Sequence, residues 1–111
     1  AFADLDFLDI QQETGESSWF GFAMVLKGRM AGRRAELVQA LTAAEIECRP
    51  IVTGNFLRNP VIDKLDHSVG STIEAAETID VNGLFTGNHH YPIQPQITRL
   101  REVVQAVADR A

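Results

Sequence analysis

The chain reads as a small α/β (α+β) domain: a two-layer sandwich with a sheet of about three strands and helices on one face. Three apolar runs with strand character, 19–26, 46–52 and 82–88, alternate with helical patterns. The last helical pattern repeats apolar residues cleanly, at Ile97, Leu100, Val103, Val104 and Val107. The length of 111 residues, with 45% apolar and 23% charged residues, suits one modest core.

The opening stretch, Phe2 to Ile10, fits neither the helix nor the strand period. "QQETGESS" is a polar loop broken by glycine. "WFGFAMVL" predicts a central strand apolar on both faces, with small residues on one side and Phe20, Phe22, Met24 and Leu26 on the other. From Arg33 to about Glu45, the spacing of Leu37, Val38, Leu41 and Ala44 predicts a helix. "IECRPIV" is a second strand, and Pro50 favours an edge or a strand start there. The stretch 57–71 is a long irregular connection with room for a turn of helix. Ser71 and Glu74 have capping-box spacing for a short helix to about Thr78. Asn82–Gly83 reads as a turn into the third strand, and Pro95 suits the first turn of the last helix. The expected division is a connecting segment over 1–17 and a small α/β domain over 18–111.

A net charge of −5 argues against a nucleic-acid surface, which needs a basic patch. No apolar run approaches the ~20 residues of a membrane span. Cys48 is the sole cysteine and gives no sign of an oxidising compartment, so a cytoplasmic protein without nucleic-acid or membrane partners is expected. The start at Ala1, without methionine and inside an apolar pattern, suggests that something precedes it.

Candidate chemistry gathers at strand ends. Thr53-Gly54-Asn55 and Thr86-Gly87-Asn88 repeat the same three residues after apolar runs. They are either two similar turns or two polar clusters at one sheet edge facing one ligand. His89 and His90 follow the second. As neighbours on a strand they would point to opposite faces unless the Asn88 turn bends it, and with His67 and Cys48 they match no metal motif, so no metal site is expected. Cys48, Trp19 and the nearby phenylalanines read as core. Arg49 is either a bidentate clamp for a phosphate or carboxylate, or a rim arginine. No nucleophile elbow, phosphate loop or paired carboxylate is present.

"SWFGF" (Ser18 to Phe22), "IECRPIVTGNF" (Ile46 to Phe56), "NPV" (Asn59 to Val61) and "NGLFTGNHH" (Asn82 to His90), in this order, resemble the C-terminal small domain of the DegT/DnrJ/EryC1/StrS family. Its members are pyridoxal-phosphate-dependent nucleotide-sugar aminotransferases and related 3-dehydratases. One departure is Ala76-Glu77-Thr78-Ile79, where related chains often carry a tyrosine. The resemblance implies the small-domain fold of the fold-type-I enzymes. It also implies that the cofactor's phosphate site, pyridine partner and Schiff-base lysine lie in a large domain absent from this sequence. Lys27 and Lys64 do not match the catalytic-lysine motif. No cofactor site, no catalytic residue and no activity of the chain alone are therefore expected. Arg49, Asn55, Asn88, His89 and His90 are the implied substrate-binding residues, for a nucleotide-sugar. The implied protein partners are the large domain or a second subunit. The rival expectation is a stand-alone binding or interaction module without chemistry.

Overall fold

A computed structural model describes all 111 residues. It has a four-stranded antiparallel sheet and three α-helices, which matches the expected α+β class and adds one strand. The strands are β1 (Leu8–Ile10), β2 (Gly21–Leu26), β3 (Cys48–Pro50) and β4 (Gly83–Gly87), in the spatial order β1-β2-β4-β3. The helices are α1 (Arg34–Ala43), α2 (Glu74–Asn82) and α3 (Gln94–Ala108).

Register assigns the two faces. Leu8 pairs with Leu26, Ile10 with Met24, Met24 with Leu84, and Phe22 and Cys48 with Thr86. These residues share the face that packs on α1 and α3. Leu37 and Leu41 of α1, and Leu100, Val104, Val107 and Ala108 of α3, complete that core. Met24, Leu26, Leu84 and Val104 are fully buried, and each such side chain stabilises the fold by roughly 1.5–3 kcal/mol. The other face carries Gly21, Ala23, Val25, Gly83 and Phe85. There Ile79 of α2 and Ile51 pack over Gly83, whose missing side chain leaves them room.

The first seventeen residues, expected as a connecting segment, contain β1 and the buried side chains of Phe2, Leu5, Phe7 and Leu8. Arg101 on α3 fastens this segment, donating to both carboxylate oxygens of Asp4 at 2.7 and 2.6 Å and also to the Ala1 carbonyl. Beyond β1 the ladder is completed by a side chain. The Gln11 amide donates to the Gly21 carbonyl and accepts from the Ala23 N–H, both at 3.0 Å.

Two local readings change, and the long connection takes the helical turns that it had room for. Asn82–Gly83 is no turn: α2 runs through Asn82 straight into β4. Arg34 closes that helix end by donating to the Asp80 and Gly83 carbonyls, as cations do at helix C-termini. Ser71 caps nothing, because its hydroxyl meets the Thr72 carbonyl and α2 begins at Glu74. The long connection holds two 3-10 turns, Phe56–Arg58 and Pro60–Lys64, capped by the side chains of Asn55 and Asn59. At the end of α1, Glu45 takes a left-handed φ of 58°. Its N–H donates to Thr42, and that of Ile46 to Leu41, forming a Schellman closure with glutamate where glycine is usual. No helix is long and apolar enough to cross a membrane.

Candidate functional site

β4 stops at Gly87, and the chain then runs irregularly through Asn88 and His89 to a bend at His90–Tyr91 before α3. Beside this end lies a cavity of about 840 Å³, a size suited to a small-molecule ligand. Its deeper wall is apolar, with Phe22, Ile46, Ile97 and Leu100. Its rim is polar, with Glu47, Arg49, Asn88, His89, Gln96 and Arg99.

Three of the five residues singled out in the sequence thus meet at one cavity: Arg49, Asn88 and His89. Arg49 is exposed on edge strand β3, and its Nε and Nη2 donate to the same Glu47 oxygen at 3.2 and 2.8 Å. Nη1 makes no hydrogen bond within the chain. Asn88 donates from Nδ2 to the Trp19 carbonyl at 2.9 Å. His89 stacks on Tyr91, ring centres 4.9 Å apart and planes 15° apart.

Asn55 and His90 do not line this cavity. Asn55 is 5% exposed, and its polar atoms are engaged within the chain. Its Oδ1 accepts from the Leu57 N–H and its Nδ2 donates to Glu77, both at 3.1 Å. The physical reason is direction. β3 and β4 are antiparallel, with Cys48 beside Thr86 and Pro50 beside Leu84. The chain leaving β3 therefore arrives where β4 starts, against Asp80 of α2. The two Thr-Gly-Asn turns lie at opposite ends of the sheet, not at one edge. His90 meets Tyr91 edge-on, at 5.2 Å and 82°. The two histidines were expected to face opposite sides unless the turn at Asn88 bends the strand. Because the strand has already ended, both instead touch one tyrosine ring.

Trp19 and Phe20 also depart from a core role. Trp19 is half-buried and lines both the cavity and an adjoining groove of about 620 Å³. Phe20 is 92% exposed on that groove, beside Val52 at 84%. Strand alternation would have placed Phe20 with Phe22, but β2 begins only at Gly21. The departure has a backbone cause: Trp19 has φ of 25°, outside any strand. Sequence periodicity carries no signal for that kink. Cys48 lies half-buried on the cavity wall. Burial raises its thiol pKa, and the Glu47 carboxylate adds to the rise, so it is a poor nucleophile. No three His, Cys, Asp or Glu side chains are grouped to hold a metal.

No protein-family model matches the sequence. The chain is similar to curated proteins, however. It is 50% identical over 105 residues to the GDP-4-keto-6-deoxy-D-mannose 3-dehydratase of Escherichia coli O55:H7 (strain CB9615 / EPEC), covering 94% of this chain and 27% of that protein. The same identity and coverage hold for the GDP-4-keto-6-deoxy-D-mannose 3-dehydratase of Yersinia pseudotuberculosis. The solved structure of the E. coli 3-dehydratase with bound hydrated PLP (pyridoxal phosphate) superposes with a TM-score of 0.85 and 51% identity, over 92% of this chain and 26% of that one. The chain thus spans about a quarter of the length of the relatives it matches, and over that quarter it shares the fold of a PLP-binding GDP-sugar 3-dehydratase.

Proposed function

We propose that this chain is the C-terminal, substrate-covering part of a pyridoxal-phosphate-dependent nucleotide-sugar 3-dehydratase acting on a GDP-4-keto-6-deoxy-sugar. The observation that carries the reading is the meeting of Arg49, Asn88 and His89 at one ligand-sized cavity, in a chain half identical to such enzymes. Dehydration is favoured over amino transfer because the relatives at 50% identity are 3-dehydratases.

Pyridoxal phosphate, when bound, supplies an electron sink for breaking the bond at C3. This chain's residues do not by themselves fit that cofactor. Lys27 is paired with Asp9 at 2.6 Å, Lys64 sits in the second 3-10 turn, and neither lines the cavity. No buried side-chain nitrogen or oxygen lacks a partner that a cofactor would supply. The reading therefore assigns the cofactor to the remainder of the enzyme, and to this chain the holding of the nucleotide-sugar. Arg49, steadied by Glu47, offers a cation and N–H donors to the diphosphate or to sugar hydroxyls. His89, oriented by Tyr91, offers a ring nitrogen to a hydroxyl. The apolar wall excludes water.

The test is kinetic. In the enzyme containing this chain, Arg49→Ala and His89→Ala are each expected to raise KM for the GDP-sugar about tenfold or more, with a smaller change in kcat. Unchanged KM in both variants removes the site. For the chain alone, incubation with pyridoxal phosphate and borohydride should trap no stoichiometric adduct. A one-to-one adduct would overturn the division of labour.

A further inference from the structure

Trp19 is the chain's only tryptophan and one of two residues other than glycine with positive φ, at 25°. A bulky side chain rarely takes that backbone, which costs of order 1–3 kcal/mol and persists only where the surroundings enforce it. Here the enforcement is visible. The Trp19 N–H donates to the Ser17 hydroxyl at 3.2 Å. Its carbonyl accepts from Asn88 Nδ2 at 2.9 Å, across 69 residues of sequence. Its indole lies nearly parallel to the Phe22 ring, with centres 6.4 Å apart. The constrained residue forms a wall of the cavity and of the adjoining groove.

We propose that Trp19 contacts the substrate as a flat wall of the cavity, and that Asn88 is the positioning residue that holds it there through the Trp19 carbonyl. The inference rests on the nucleotide-sugar reading above and reassigns Asn88 within it. The Asn88 amide is bonded to the Trp19 backbone, so its effect on the ligand passes through the indole. An indole face suits a flat ring, either the base or the C–H face of the sugar.

Asn88→Asp is the sharpest variant, because it keeps the shape, removes the donor and sets a carboxylate against the Trp19 carbonyl. In the enzyme containing this chain, Asn88→Asp and Trp19→Ala should each raise KM for the GDP-sugar about tenfold. The double variant should be no worse than the worse single one, and Trp19→Phe should recover most of the loss. Effects that multiply would mean that Asn88 touches the substrate itself, and the proposal falls. Unchanged KM in Trp19→Ala also sinks it. Inhibition by GDP separates the two ring sources. Trp19→Ala weakens GDP and the GDP-sugar alike if the base stacks, and the GDP-sugar alone if the sugar does.

A second readout needs no catalysis. In the 111-residue chain, Asn88→Asp should shift Trp19 emission to the red and lower its anisotropy while far-ultraviolet circular dichroism stays unchanged. Unaltered emission would show that Asn88 is no latch. Loss of the Arg49→Ala effect on KM would fell the cavity reading as a whole. A normal Arg49→Ala effect beside multiplying Trp19 and Asn88 effects would fell this inference alone.

Discussion

Thr53-Gly54-Asn55 and Thr86-Gly87-Asn88 are the same three residues in the same order, yet their environments have nothing in common. The first turn is packed against α2. A side-chain carbon on Gly54 would lie 2.4 Å from the Asp80 Cα, and Asn55 is buried with its polar atoms bonded inside the chain. The second turn stands open. Nothing lies within 4 Å of a side chain built on Gly87, and Asn88 reaches across to Trp19 at the cavity mouth. The tripeptide permits a turn in both places. What the turn does is decided by strand direction, because the antiparallel pairing of β3 with β4 sends one into the scaffold and the other to the cavity.

Substitutions at matched positions can break that contrast. The largest effect belongs to the first glycine. Gly54→Ala forces a backbone shift against Asp80 and should cost on the order of 3 kcal/mol in urea unfolding, while Gly87→Ala should stay within about 0.5 kcal/mol. Equal stability of the two variants would erase the distinction. Next come the asparagines. Asn55→Ala removes a turn cap and the bond to Glu77, at a cost of about 1–2 kcal/mol, whereas Asn88→Ala should cost under about 1 kcal/mol.

Glu45 sharpens the same point from the other side, since it has the left-handed backbone without the glycine. Glu45→Gly should stabilise the fold by about 0.5–1 kcal/mol, relieved strain outweighing the extra freedom of the unfolded chain. A lower thermal midpoint would refute that. The smallest effect concerns an exposed pair, set against the half-buried Asn55–Glu77 bond. The Arg101 hydrogen bonds lower the Asp4 pKa to about 2, from its ordinary value of 3.8. A lowered folded pKa contributes stability above pH about 4 and loses it as pH falls toward about 2. Asp4→Asn should therefore flatten the acid side of the stability profile in that window and lower stability only slightly at neutral pH. An unchanged acid limb would show the pair to be inert.

Legibility in the sequence follows the same divide between local and distant causes. α3 stands out because Ile97, Leu100, Val104 and Val107 repeat on one face over fifteen residues. α1 and β2 are legible for the same reason, within about two residues at their ends. β1 is not, since three residues are too short to show a period and its pairing partner lies over ten residues away. The site is legible in part. Arg49, Asn88 and His89 stand out by type and position, and the fold brings them together. Asn55 looks identical to Asn88 in sequence, and only the register separates them. Trp19 reads as core because its kink is imposed by Ser17 and by Asn88, and the second of these is invisible to any local pattern.

Gln11 has a consequence for how the protein behaves in company. β1 supplies three residues, so the outer flank of β2 at Gly21 and Ala23 would otherwise present a bare carbonyl and N–H. Such a flank is a template on which another molecule's strand can grow. The Gln11 amide occupies both positions and mimics a peptide unit without prolonging the strand. That glutamine closes the stretch of β2 that β1 leaves uncovered, so a partner strand could add only at the outer flanks of β1 and β3.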